Sequence, residues 1–402
     1  MFGGQIVYNG AAAPLLKPGR KSAFKDSPTA KALADPMRHP VHGERRPLPG
    51  KTAKDAWLRV KGARANNLQN TDVAIPLGRL TVITGISGSG KSSLMRGVIR
   101  PAAEDAIART HKKKAASDLP YKSVTGFDLL GAVYEVDQSP IGKTSRSTPS
   151  TYVKVFDEIR KLFSGLPTSR MRGYTASRFS FNTEGGRCEA CAGNGLIKME
   201  MTFLPTSYVL CDECKGARYN EATLEVEYNG KNIGQVMDMT IEEAATFFES
   251  NPKVYRTLRL LLETGLGYLK LGQPSPTLSG GEAQRIKLVT QLTRGIGRSE
   301  HAKIRQNRTV KPNLYLIEEP TIGLHMADVR KLIEVLHALV DDGHTVLVIE
   351  HNTDIMAEAD YIIDIGPEAG EEGGKLVVAG TPEAVAKDKT SRTAPFLKRA
   401  LV

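Results

Sequence analysis

The stretch Gly85-Ile86-Ser87-Gly88-Ser89-Gly90-Lys91-Ser92 fits the glycine-rich phosphate-loop pattern. It has the context the pattern requires. The apolar run Leu80–Thr84 before it reads as a buried strand, and a helix is expected to open at Lys91. Glycines in such a loop let successive backbone N–H groups face inward around the β- and γ-phosphates, at the positive end of the helix. Lys91 is then placed to neutralise the γ-phosphate and Ser92 to ligate Mg²⁺. Gly85, Ser87, Gly88, Gly90, Lys91, Ser92 and Ser93 form the expected ATP and Mg²⁺ set.

Further short apolar runs, Val133–Val136, Leu314–Ile317 and Thr345–Ile349, alternate with helical stretches such as Met326–Val340. In that stretch Val329, Leu332, Ile333, Leu336, Leu339 and Val340 recur at three and four residues and make one apolar face. The pattern predicts an α/β fold with a largely parallel sheet, its core in residues 56–140 and 312–402. Residues 141–311 have a different texture and read as an insertion. Residues 11–55 carry Pro14, Pro18, Pro28, Pro36, Pro40, Pro47 and Pro49 among Lys and Arg, and read as a flexible linker. Gly3–Gly10 matches Gly373–Gly380 in spacing and residue class. Residues 1–10 therefore read as the last strand of a preceding copy of the domain, and the chain as one half of a tandem.

The 402 residues carry 55 Lys+Arg against 44 Asp+Glu, a net charge of +11, with four cysteines and one tryptophan. At 25% charged and 40% hydrophobic residues the composition excludes a fibrous or wholly disordered chain. No apolar stretch approaches ~18 residues, and Pro14, Lys17, Pro18, Arg20, Lys21 and Lys25 occupy the place of a signal-peptide core. The chain reads as cytoplasmic, without a membrane partner. Its basic excess is localised. Lys143–Arg187 holds nine basic and three acidic residues, and Arg294–Lys311, read as a mobile loop, holds six basic and one acidic. Tyr152, Tyr174, Phe179 and Phe181 interleave the first run, a mixture suited to phosphate contacts with occasional stacking. Lys143, Arg146, Arg170, Arg172, Arg178 and Arg187 are the candidate phosphate contacts, which the family resemblance given below makes candidate DNA contacts.

All four cysteines fall in Cys188-x₂-Cys191-x₁₉-Cys211-x₂-Cys214, with Gly193, Gly195 and Gly216 beside the pairs. Two disulfides are the competing reading. A cytosolic chain keeps thiols reduced, so four thiolates on a structural Zn²⁺ are expected, in a module at 185–218.

Leu278-Ser279-Gly280-Gly281-Glu282-Ala283-Gln284-Arg285, in the same chain as a phosphate loop, resembles the signature motif of ATP-binding-cassette ATPases. That resemblance implies that Ser279 and Gly281 contact nucleotide, that Glu318 holds Mg²⁺ through water and that Glu319 polarises the attacking water. Gln138 and His351 match the remaining cassette positions, those contacting metal or water and the γ-phosphate. The class usually has Asp where Glu318 stands. In such cassettes the phosphate loop and signature serine serve different nucleotides, each clamped between two cassettes, so a second cassette is required, by homodimerisation or from a missing half. Val136–Thr144, Arg178–Asn182 leading into Gly185–Cys191, and Leu278–Arg285 closely resemble the UvrA family, the damage-recognition ATPases of bacterial nucleotide excision repair. The resemblance runs from about Trp57 to Val402, corresponds to the family's second cassette and implies binding of damaged or distorted duplex DNA. The region that in the family binds UvrB has no counterpart here, which argues against direct UvrB binding.

The first functional reading is therefore an ATP-hydrolysing, zinc-containing, DNA-binding half. The alternatives are a relative that sequesters DNA-intercalating drugs in self-resistance, and a transporter ATPase subunit, in which the zinc module and basic insert have no role.

Overall fold

The computed structural model describes residues 6, 8–16, 27–50, 56–108, 119–201, 204–305 and 311–401. Two compact units divide the chain: Met1–Asp137 with Ile296–Val402, and Gln138–Gly295. Strands β1 (Trp57–Ala63), β2 (Thr71–Pro76), β3 (Leu80–Thr84), β4 (Ser123–Thr125) and β5 (Val133–Val136) come first. Strands β6 (Leu196–Met201), β7 (Leu204–Leu210), β8 (Glu227–Tyr228) and β9 (Lys231–Asn232) lie in the second unit. Strands β10 (Leu314–Glu318), β11 (Thr345–Ile349), β12 (Tyr361–Gly366) and β13 (Lys375–Gly380) complete the first.

The first unit is built on a six-stranded sheet of order β13-β12-β3-β11-β10-β5, parallel except for β13 at its edge, with a smaller antiparallel sheet β2-β1-β4. Every residue of β3 and β11 is buried, as are Leu314–Ile317 of β10. Central parallel strands are covered on both faces, which is why they read as unbroken apolar runs. Ile83 pairs with Ile349 and Ile349 with Glu318, so these three strands end at one edge of the sheet. The helix after the phosphate loop starts at Lys91, widens into a π-helical turn at Met95–Ile99 and continues as Arg100–Ala108. Helix Met326–Asp341 buries the apolar face read from its sequence.

In the second unit, helices Val155–Ser164, Ile241–Phe247 and Pro252–Glu263 surround a core that includes Phe156, Phe163, Phe179, Phe181, Phe248 and Leu258. Two hairpins, β6–β7 and β8–β9, are added to it. This unit begins at Gln138 and ends at Gly295, short of the expected limits of 141–311 at its C-terminal side. Gly280–Arg305 is one helix, so the basic run from Arg294 is helical as far as Arg305 and not a loop. Arg298, Ala302, Lys303 and Arg305 are good helix formers and outweigh Gly295 and Gly297. Residues 306–310 lie outside the described residues, as do 1–5 and 7 of the N-terminal echo.

Residues 27–50, within the stretch read as a flexible linker, are instead strapped to the first unit. Thr29 Oγ1 lies 2.8 Å from His325 Nε2, and Arg46 pairs with Asp341 at 2.6 Å and Asp360 at 3.3 Å. The buried His39 ring bridges Glu358 (2.5 Å) and Asp354 (3.1 Å), while Glu358 also meets His337 Nε2 at 2.9 Å and accepts from Val41 N–H at 2.7 Å. Burial by itself would lower the His39 pKa, but hydrogen bonds and charge from Asp354 and Glu358 outweigh it and raise it to about 9. Burial opposes ionisation of Glu358, yet its bonds to His337, His39 and Val41 hold it at about 2. All these partners are distant in sequence, so no local periodicity announces them.

The raised His39 pKa means that its stabilisation is complete below its ordinary 6.5 and is lost as pH rises through about 9. Glu358 contributes above its ordinary 4.5 and loses that contribution as pH falls toward about 2. In urea titrations, stability should therefore decline between pH 6.5 and 9.5. His39→Ala, which strips a buried carboxylate of its cation, should cost on the order of 3 kcal/mol at pH 6.5 and flatten that decline.

Candidate functional site

The C-terminal edge of the parallel sheet carries the phosphate loop, the acidic end of β10 and the turn after β11. Gly85, at φ +129°, passes so close to Ile365 that a Cβ there would lie 1.9 Å from its carbonyl oxygen. Gly90 takes φ +106° and starts the helix at Lys91, while Ser87 and Gly88 are exposed at the tip. The Lys91 ammonium lies inside the loop, donating to Gly85 O (3.0 Å) and Ile86 O (2.7 Å). Burial lowers its pKa, and the carboxylates of Glu319, Asp364 and Glu318 oppose that. Ser93 Oγ accepts from Asn66 Nδ2 at 3.0 Å.

Ser92 Oγ donates to Glu318 Oε1 at 2.7 Å, so a hydroxyl and a carboxylate from distant parts of the chain converge beside the loop. This pair of hard oxygen donors fits a Mg²⁺ ion bound with phosphates and water. Glu319 has φ +45°, a left-handed conformation costing roughly 1–2 kcal/mol for a residue with a Cβ, and its N–H donates to Ile349 O at 2.8 Å. Its Oε1 lies 3.4 Å from His351 Nε2. The two loops are tied together by Glu350, which sequence reasoning passed over although it sits between strand β11 and His351. Its buried carboxylate accepts from Thr321 N–H (2.9 Å) and Oγ1 (2.5 Å) on one oxygen, and from His351 N–H (2.7 Å) and Asn352 N–H (2.9 Å) on the other.

In the second unit, Gln138 adjoins the signature turn, and a Cβ on Gly280 would lie 3.5 Å from the Gln138 Cβ. Ser279 and Glu282 form a reciprocal cap, with Ser279 N–H on Glu282 Oε2 (2.7 Å) and Glu282 N–H on Ser279 Oγ (3.3 Å). Ser279 is exposed and Gly281 buried.

Cys188, Cys191, Cys211 and Cys214 are buried, unlinked by disulfides, with all four Sγ atoms within 4.8 Å of one another. The Sγ separations Cys188–Cys211 (3.8 Å) and Cys191–Cys214 (3.6 Å) match the ~3.8 Å edge of a tetrahedron with Zn–S bonds of about 2.3 Å. Gly193, at φ +78°, leaves no room for a side chain, since its Cβ would lie 1.8 Å from Phe181 O. The donors therefore fit a closed, four-thiolate zinc site.

The basic run divides. Lys143, Arg146 and Arg170 are exposed. Arg172, also exposed, pairs with Glu225 (2.6 Å), Arg187 with Glu184 (3.3 Å) and Glu189 (3.0 Å), and Arg178 donates to Thr223 Oγ1 (2.9 Å) while its guanidinium lies 4.5 Å from the Tyr174 ring centre. These three brace the unit. Phe179 and Phe181 are fully buried, so they are core residues and not stacking platforms. Alternation with polar residues resembled an exposed aromatic surface; the packing against Phe163 and Phe156 decided otherwise.

A sheet that brings a phosphate loop and paired carboxylates to one edge, interrupted by a separate unit with a Ser-Gly-Gly helix start, defines the ATP-binding-cassette class of ATPases. No family model matches the chain. It is 48% identical over 401 residues to the UvrABC system protein A of Haemophilus influenzae, covering 100% of this chain and 40% of that protein. With the Thermus thermophilus UvrABC system protein A it is 51% identical over 399 residues, 99% of this chain and 39% of that one. The crystal structure of UvrA2 from Deinococcus radiodurans superimposes with a TM-score of 0.80 at 42% identity, over 99% of this chain and 45% of that chain. Over nearly its whole length the chain is similar to these UvrA proteins, and it spans about 40% of the length of these curated relatives. No described helix is long and apolar enough to cross a membrane.

Metal analysis of the purified chain should find about one zinc per molecule, and Cys191→Ser should reduce it to near zero while destabilising Gln138–Gly295. Undiminished zinc in the variant would contradict the four-thiolate site.

Proposed function

We propose that the chain is an ATP-hydrolysing, zinc-holding half of the UvrA type that binds distorted duplex DNA in the cytoplasm and works when a second cassette completes its nucleotide sites. The observation that carries the reading is the Glu319–His351 contact beside the phosphate loop. Lys91 and the loop N–H groups hold the β- and γ-phosphates, Lys91 exchanging its carbonyl partners for phosphate oxygens. Ser92 and Glu318 would hold Mg²⁺, which would screen phosphate charge there. Glu319 takes the proton of the attacking water, and His351 holds that carboxylate and reaches the γ-phosphate. Gln138 orients water or metal ligands, and Ser279 and Gly281 close on the nucleotide of the opposite cassette. Cys188, Cys191, Cys211 and Cys214 would hold Zn²⁺, which would fix the two cysteine turns to one another.

DNA is met by Lys143, Arg146 and Arg170, which are exposed on the second unit. Phosphate contacts from such a surface read shape and deformability more than base edges.

Glu319→Gln should bind ATP as tightly as the wild type and lose roughly 10²–10⁴-fold in hydrolysis, measured by fluorescent-nucleotide titration and phosphate release. Normal turnover would remove Glu319 as the base. Replacing Lys143, Arg146 and Arg170 by Ala together should weaken damaged-duplex binding and lower the slope of log affinity against log salt by about 3. Wild-type affinity that is weak and flat across salt would discard the DNA-binding surface.

A further inference from the structure

The carboxylate of Glu318 is held from both sides. Oε1 accepts from Ser92 Oγ, while Oε2 pairs with Arg96 Nη2 at 2.6 Å. Arg96 is fixed in turn, its Nε donating to Glu135 Oε1 at 2.7 Å, and the other oxygen of Glu135 is held by Arg100. Glu135 sits on β5, directly beside Leu316 of β10, so one guanidinium spans carboxylates from two neighbouring strands. Arg96 lies four residues after Ser92, on the π-helical turn that follows the loop, which brings both side chains to the same carboxylate.

Glutamate at the end of β10 has one more torsion than aspartate and correspondingly more ways to miss a metal beside Ser92. A planar, two-pronged guanidinium removes that freedom, whereas an ammonium offers only a point charge. We propose that Arg96 is a positioning residue for Glu318: it occupies Oε2, anchors itself on Glu135, and thereby keeps Oε1 turned toward Ser92 for the Mg²⁺–nucleotide complex. The inference rests on the Mg²⁺–ATP reading above. Because a nearby cation also repels Mg²⁺, orientation and charge predict opposite outcomes, which makes the role testable.

The full chain and its Arg96→Ala, Arg96→Lys, Glu318→Asp and Arg96→Ala/Glu318→Asp variants are titrated with a fluorescent ATP analogue across Mg²⁺ concentrations. Arg96→Ala and Arg96→Lys should each raise the Mg²⁺ needed for half-maximal binding by about tenfold, the lower end of what loss of an outer-shell partner costs in metal affinity. Nucleotide affinity without Mg²⁺ should stay unchanged. In the Glu318→Asp background, where the shorter carboxylate is drawn back from residue 96, the alanine change should shift the Mg²⁺ requirement by less than about twofold. Tighter Mg²⁺ dependence in Arg96→Ala, wild-type behaviour in Arg96→Lys, or an equal loss in both backgrounds would each overturn the positioning role while leaving the Mg²⁺–ATP reading intact. Wild-type nucleotide binding that ignores Mg²⁺ would defeat that reading and this inference with it.

Discussion

The register of three adjacent parallel strands is the constraint on which the rest depends. Ile83, Ile349 and Glu318 lie side by side, so the loop after β3, the carboxylates after β10 and the His351 turn after β11 leave the sheet together. Packing on both faces of β3 and β11 holds that register, because a slip by one residue would set side chains of different size into every close-packed position. Functional groups far apart in the chain then meet without any local sequence signal. Glu350 secures the result by binding the backbone of both acidic-strand and histidine turns, and this clamp supports the left-handed backbone of Glu319.

Charge follows a different logic in the second unit. Part of its basic run is engaged by neighbouring side chains: Arg172, still exposed, pairs with Glu225, Arg178 donates to Thr223, and Arg187 pairs with Glu184 and Glu189. Lys143, Arg146 and Arg170 remain at the surface. A residue count therefore overstates the charge offered to a polyanion, and the smaller exposed set favours phosphate contacts over base reading.

Much of the candidate site is legible because its chemistry is local. The loop glycines, the apolar strand before them, the buried run ending in Glu318-Glu319 and the cysteine spacing all declare themselves within a few residues. The strap of residues 27–50 did not: prolines and basic side chains look like a linker until His39 and Arg46 meet carboxylates near the other end of the chain. Phe179 and Phe181 were misread for a related reason, since polar neighbours conceal burial that only tertiary packing creates. Glu350 and Arg96 carry no motif of their own, and their importance comes from the partners the sheet edge brings to them.

In the proposed function one chain holds half of each composite nucleotide site, its phosphate loop, in one unit, and Ser279, in the other, serving different nucleotides. The most direct measurement is ATP hydrolysis per molecule as a function of protein concentration. If chains pair to complete the sites, the rate per molecule rises steeply with concentration; a substantial rate per molecule that stays constant down to the lowest concentration, with the protein monomeric, would contradict such pairing.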